Sequence, residues 1–346
     1  GDFIMTKLDP KKNYLMPAHF GPRYTGKKTS GWYHDVTTMM VSYVTDRKAL
    51  LKLLPDCFDV PEMPIITVAY ACNKKIDWLA GHGYNLIGVH ASVIYKGEKE
   101  KMVGSYTLVM WENLTDPILA GREMQGISKI YADIPDHSMV NNVWRTKAHH
   151  FGHDILDMSL TNLVEVSLED VEAEQETNKA TDNPMGFRYM PSIGGWGPGE
   201  GQPTLFPSEN KFTEVKIGAG EVNWNHLTWE QNPTQYHIAN ALADLPNIEY
   251  SHAIMTKGST NLTKTNDRLQ FDTDLSKLRP TLVGLLPKEV AYTVDALIQQ
   301  GPNVVLQFSK TILDTILQNA NDMLDWAEYM AICEQYAGSC VGGSRE

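Results

Sequence analysis

The segment Gly121-Arg122-Glu123-Met124-Gln125-Gly126-Ile127-Ser128-Lys129-Ile130-Tyr131-Ala132 sets one lysine between the apolar neighbours Ile127 and Ile130. Desolvation penalises an ammonium, so a lysine held in apolar surroundings loses proton affinity. A neutral amine can attack a ketone and form an imine. Once protonated, the imine takes up the electrons released when a bond to the adjacent carbon breaks. That bond can lead to a carboxylate, a proton or a carbonyl carbon. From spacing alone, Lys129 is equally a surface residue, since the surface is where most lysines lie.

Three other patterns invite chemistry and carry less. In Lys147-Ala148-His149-His150-Phe151-Gly152-His153-Asp154, His149 and His153 stand four apart and would share a helix face that binds zinc. The run reads instead as strand, turn, strand, with Gly152 in the turn, and the glutamate of a His-Glu-x-x-His site is missing. No Gly-x-Ser-x-Gly elbow is present for a serine hydrolase. The glycine-rich stretch 191–203 is followed by no Gly-Lys-Ser/Thr and opens no helix, so it reads as a long irregular loop rather than a phosphate cradle. No metal and no cofactor are expected.

The elements that must position these residues are mostly strands. Residues 36–44, 64–72, 86–96 and 102–111 are rich in β-branched and aromatic side chains, and Ile87, Val89, Ala91, Val93 and Tyr95 alternate on one face. Residues 141–168 read as a hairpin turning near Gly152, and 212–229 as a strand pair around Gly218 and Gly220. Thr45 or Asp46 caps a short helix carrying Ala49, Leu50, Leu53 and Leu54, which Pro55 stops. Residues 165–182 are acidic and read as a solvated loop or strand edge. Many strands with few helices between them argue for an antiparallel sheet, closed or packed on itself.

Beyond these strands, 285–336 changes character. Pro287 opens a helix that Gly301-Pro302 ends, and a second helix runs from about Asn303 to Tyr336 with an apolar stripe from Val305 to Met330. The stripe packs on the body of the chain or on another subunit. Its polar face carries Asp314, Asp322, Asp325 and Glu328, which does not suit a membrane surface.

Composition sets outer limits. The chain has 346 residues, 42% hydrophobic and 21% charged, with 30 Lys and Arg against 42 Asp and Glu for a net charge of −12. This length can bury a core without disulfide or metal, and the acidic balance argues against nucleic acid or an anionic membrane as partner. Cys57, Cys72, Cys333 and Cys340 show no metal-ligand spacing and read as free thiols in a reducing compartment. Gly1–Ile4 read as a tag remnant with Met5 as the native start. No signal core and no run approaching the ~20 apolar residues of a membrane span is present. The expected location is cytoplasmic.

The residues around Lys129 also carry a resemblance. Gly121-Arg122-Glu123, then Gly126, Ser128-Lys129 and Ala132, is similar to the signature of the acetoacetate decarboxylase superfamily, Gly-Arg-Glu followed by Pro-Lys-Lys. In order along the chain, Pro17-Ala18-His19-Phe20-Gly21-Pro22 resembles the family's entry. Thr45-Asp46 through Leu54-Pro55 resembles its first helix, Asn183-Pro184 through Tyr189-Met190-Pro191 the segment after the long hairpin, and Asn240 through Pro246 the motif near the family's C-terminus. The resemblance covers 16–270, with 1–15 as leader and 271–346 as a helical C-terminal extension. It implies a mainly β (α+β) fold: a closed antiparallel β-sheet cone or barrel with peripheral helices, often in a homo-oligomer.

By this match Lys129 falls on the Schiff-base lysine. Acetoacetate decarboxylase is itself the established example of a lysine activated by a second cation. Here Ile130 replaces the second lysine and Ser128 the proline, so desolvation acts alone or Arg122 helps. The acidic residues that the decarboxylases carry at about Val68–Ala69 and near Tyr84 are missing, as is the arginine at about Asp35–Val36. His82, Tyr84 and Asn85 are the replacements able to donate or relay a proton. Glu123 is expected to orient Lys129 or Arg122, or to lock its loop. Arg122, Asn85, Arg188 and Tyr131 are the expected substrate contacts, Arg188 as a bidentate partner for a carboxylate.

The implied function is a lysine-imine lyase taking a small-molecule ketone or oxo-acid, with decarboxylation of a β-keto acid favoured. One alternative is an aldolase, dehydratase or cyclase on a larger oxo-acid or polyketide-like substrate. The other is a non-catalytic small-molecule binding protein on the same fold.

Overall fold

The computed structural model describes residues 8, 12–23, 29–97, 101–178, 182–194, 200–262 and 267–268. The two helices expected in 285–336, the extension 271–346 and Cys333 and Cys340 lie outside the described residues.

One 14-stranded sheet dominates. Its strands are β1 (Trp32–Val44), β2 (Phe58–Asp59), β3 (Ile65–Ile76), β4 (Tyr84–Lys96), β5 (Lys101–Glu112), β6 (Lys129–Tyr131), β7 (Ser138–Val140), β8 (Val143–His150), β9 (His153–Glu165), β10 (Pro184–Met190), β11 (Glu200–Leu205), β12 (Glu209–Trp224), β13 (Glu249–Asn261) and β14 (Asp267–Arg268). Among the described residues four α-helices accompany them: α1 (Arg47–Leu51), α2 (Thr115–Ala120), α3 (Leu168–Asn178) and α4 (Tyr236–Ala243). The fold is mainly β, as expected.

The chain starts in the middle of the sheet. From β1 it runs outward through β3, β4 and β5, crosses to β8 and β9, and returns through β12 and β13 to pair with β1. Most pairs are antiparallel, but β5 takes β6 and β10 in parallel along its second edge, so the sheet is mixed. Among the described residues the pairing is an open path from β14 to β7. A single bridge, Asp133 to His149, joins the chain after β6 to β8.

The main core lies on one face. Met39, Tyr70, Ile87 and Trp111 form one row of it across β1, β3, β4 and β5, all fully buried. The alternating set Ile87, Val89, Ala91, Val93 and Tyr95 is buried as expected. Trp111 Nε1 donates to Gln235 Oε1 at 2.8 Å, and Gln235 Nε2 donates to the carbonyl of Tyr131 at 2.8 Å. That side chain ties the core, the start of α4 and β6 together.

Local expectations fare unevenly. Asp46 is the cap of α1, its carboxylate accepting from Ala49 N at 2.7 Å. The hairpin turns at Phe151-Gly152, both at positive φ. Three readings are corrected. The acidic stretch holds helix α3, because its glutamates are good helix formers and Val171 buries against Met40, Val215 and Ile254. The stretch 212–229 is no strand pair, since β12 runs unbroken through Gly218 and Gly220. A Cβ at Gly218 would meet the backbone of Thr161 and Asn162, and the register with β9 shifts beside it, so this glycine marks a bulge. The end of the glycine-rich loop, from Glu200, is strand β11 paired to β10.

Candidate active site

Residues paired across strands share a face, and so does every second residue along each strand. On the face opposite the main core, one row reads Met40, Ala69, Gly88, Met110, Lys129 across β1, β3, β4, β5 and β6. The next reads Thr38, Ala71, Leu86, Glu112, and the one beyond it Val36, Asn73, Tyr84. Small residues at positions 69 and 71 and long ones at 110, 112 and 129 leave a hollow against the loop before β6. It is a cavity of about 590 Å³ lined mainly by apolar atoms, with Lys129 and Glu112 in its wall.

Lys129 is 6% exposed and Glu112 fully buried. Lys129 Nζ lies 2.8 Å from Glu112 Oε1 and donates to the carbonyl of Pro117 at 3.2 Å. Burial pushes the Glu112 carboxyl above the usual carboxylate range, opposed by the Lys129 ammonium beside it. Glu112 Oε2 has no hydrogen-bond partner among the described residues.

The Gly-Arg-Glu motif builds this geometry. A Cβ at Gly121 would stand 2.5 Å from Lys129 Cδ and Cε, so only glycine lets the lysine stem cross there. Arg122 Nη1 donates to the carbonyl of Lys129 at 2.8 Å, and Arg188 Nε donates to the carbonyl of Glu123 at 2.8 Å. The turn closes at Gly126, in the left-handed region at φ 71, with the Arg188 backbone packed where a side chain would begin. Ile130 points the other way and packs on the main core.

Elsewhere in the cavity wall, the Tyr33 and Tyr84 hydroxyls are 3.2 Å apart, and Trp78 Nε1 donates to Tyr33 at 3.1 Å. Burial first, then Tyr33 and Glu112, push the Tyr84 phenol well above its ordinary value, so it stays protonated. Arg23 reaches the wall from the N-terminal segment, 5.6 Å from the Trp78 ring centroid and with Nη1 3.5 Å from Met124 Sδ.

Of the expected site residues, the structure brings Lys129 and Tyr84 into the cavity. Arg122, Glu123 and Arg188 shape the lysine loop through the backbone. Three lie elsewhere. His82 is exposed in the turn Gly81-His82-Gly83, where its backbone bonds Ile76 and Leu79. Asn85 follows Tyr84 in a strand and so faces the other side, donating to Ile134 O and to Asp136 Oδ1. Tyr131 is 39% exposed and donates to Asp133. His149 and His153 flank the β8–β9 turn and share no helix face, and among the described residues no cluster of three or more potential metal ligands occurs. Sequence reasoning missed Glu112, Tyr33, Trp78 and Asn73. Glu112 left one signal, a lone acid ending an apolar strand one alternation after Met110.

The chain belongs to the acetoacetate decarboxylase family, whose model matches residues 15–256. Its fold is similar to that of acetoacetate decarboxylase from Legionella pneumophila, at TM-score 0.54 and 16% identity over 72% of this chain and 92% of that one. An acetoacetate decarboxylase-like enzyme from Sphingomonas wittichii gives 0.55 and 13% over 75% and 98%. The enduracididine biosynthesis enzyme MppR, bound to the condensation product of pyruvate and imidazole 4-carboxaldehyde, gives 0.53 and 13% over 75% and 97%. No curated protein sequence matches.

Proposed function

We propose that the protein is a lysine-imine lyase, and that the Lys129–Glu112 pair in the wall of an apolar cavity is its reaction centre. The observation that carries this reading is the 2.8 Å approach of a buried amine to a fully buried carboxylate. Imine formation needs the amine without its extra proton. Glu112 is placed to take that proton and, being favoured by burial in its neutral form, to hold it. The nitrogen then attacks the ketone carbon, and the carbonyl oxygen leaves as water after gaining two protons. The resulting iminium accepts the electron pair of a bond to the adjacent carbon and becomes an enamine. A proton returns to that carbon, and water releases the product and the free lysine.

Decarboxylation of a β-keto acid is the favoured outcome, with carbon dioxide as the fragment that leaves its electrons behind. Once Glu112 has passed its proton to the departing oxygen, a substrate carboxylate beside it would be repelled until it lost its charge, which favours that loss. The acid that the decarboxylases carry on strands matching β3 and β4 is here supplied from β5. The second reading, aldol cleavage, dehydration or cyclisation of a larger oxo-acid, draws on the cavity volume and on the pyruvate condensation product carried by MppR. Product analysis separates them: carbon dioxide from acetoacetate supports the first, while carbonyl release or water loss from a larger substrate supports the second. Lys129→Ala is expected to abolish either, and turnover surviving that change excludes both.

The 16–270 segment is proposed as the catalytic domain, 271–346 as an extension, and the protein as a homo-oligomer, in keeping with the family resemblance.

A further inference from the structure

The cavity is far larger than a small β-keto acid needs, since about 300–1,000 Å³ houses a drug-sized ligand and this one measures about 590 Å³. Its wall also holds an unmet demand. Asn73 is 5% exposed and lines the cavity, and its Nδ2 has no hydrogen-bond partner among the described residues. Burying an amide N–H without an acceptor is costly, so such a group is a place where a ligand oxygen gains by binding. Asn73 is paired across the sheet with Tyr84, whose own hydroxyl is engaged by Tyr33. Both residues face away from the main core.

Position sets the length of what would fit. Glu112, where the lysine amine sits, pairs with Leu86 on β4. Tyr84 lies two residues along that strand, and Asn73 one strand further. Two residues at about 3.3 Å and two strand spacings at about 4.8 Å put the backbone of Asn73 about 12 Å from that of Glu112, whose side chain meets the amine. A compound whose two oxygens flank a single carbon cannot reach both.

We infer that the substrate is an extended oxo compound: Lys129 takes one carbonyl, and Asn73, two strands away, receives a second oxygen acceptor. The inference rests on the lysine-imine reading for the first contact and on the unpartnered Asn73 amide for the second. The acceptor is a ketone-type carbonyl or a carboxylate, which share the hydrogen-bond chemistry; Arg23 in the wall would favour the carboxylate.

Calorimetric titration of the full chain tests this with decanone, and with decanedione and oxodecanoate carrying the second group at the far end. The wild type is expected to bind at least one bifunctional compound about tenfold more tightly than decanone, the worth of one well-made hydrogen bond. Asn73→Leu is expected to remove that difference. Asn73→Asp, nearly isosteric and without the amide N–H, keeps the test open if the leucine variant does not fold. The preferred compound identifies the acceptor class. Equal affinities in the wild type, or a preference that survives both substitutions, overturns the inference. Borohydride treatment of the same samples reports separately on the imine: a bifunctional preference with no adduct on Lys129 keeps the far contact and removes the lyase reading.

Discussion

Lys129 and Glu112 form a pair whose members cannot be removed independently. Taking one charge from a buried pair leaves the other uncompensated, at a cost of about 3–5 kcal/mol. Lys129→Ala should therefore lose stability, and lose it with a particular pH dependence. Without the ammonium nothing opposes the burial that pushes Glu112 up. A carboxyl raised in the folded state binds its proton more tightly there than in the unfolded chain. Its stabilisation is full below the ordinary carboxylate range and is lost as pH rises through the folded value. Chemical denaturation of Lys129→Ala across that range should show the decline, and adding Glu112→Gln should flatten it. In the otherwise native protein, Glu112→Gln should slow imine formation by about a hundredfold, the usual worth of a placed general base. His90 is the second pH-sensitive group: burial pushes it down to about 4. A base depressed in the fold destabilises as pH falls, here from about 6.5 towards about 4, and His90→Gln should lessen the acid loss seen by thermal melts.

At the scale of elements, the Lys129 loop is legible in sequence and its chemical partner is not. Gly121, Arg122 and Gly126 each have a local reason: room for the lysine stem, a bond to its carbonyl, a left-handed turn. Gly121→Ala should displace the amine from Glu112 and depress trapping by ketones with little loss of fold. Gly126→Ala should cost about 1–3 kcal/mol as well, through a strained turn pressed on Arg188. Glu112 escaped because parallel pairing of β5 with β6 brings it to Lys129 from a sequence separation of 17 (129 − 112), and no local pattern announces a parallel pair. Asn85 was within reach. Neighbours in a strand face opposite sides, so the reading that placed Tyr84 in the site excluded Asn85 from it. His82 lies outside the cavity for another reason: Gly81 at φ 87 makes its segment a turn, and the residue is exposed.

For the whole molecule, alternation along β1, β3, β4 and β5 gave the strands and the buried face, and neighbouring strands mostly pair with each other, while the joins of β1 with β13, β9 with β12 and β5 with β10 come from pairings far apart in sequence. The meeting of β1 with β13 joins residues more than 200 positions apart. Gln235 links three layers, and Gln235→Ala should orphan the Trp111 indole and loosen β6, lowering stability by about 1–3 kcal/mol. If the apolar stripe in 303–336 joins subunits, deleting 303–346 should lower the number of subunits per particle by light scattering. An unchanged number of subunits per particle would remove that interface.

The central claim is that Lys129 forms an imine. Incubation of the intact protein with acetoacetate and a panel of longer diketones, followed by borohydride and peptide mass spectrometry, reads it directly. The account predicts a stable reduced adduct on the peptide holding Lys129, absent from Lys129→Ala. A folded protein that gives no adduct there with any ketone, or an adduct mapped to another lysine, would contradict it.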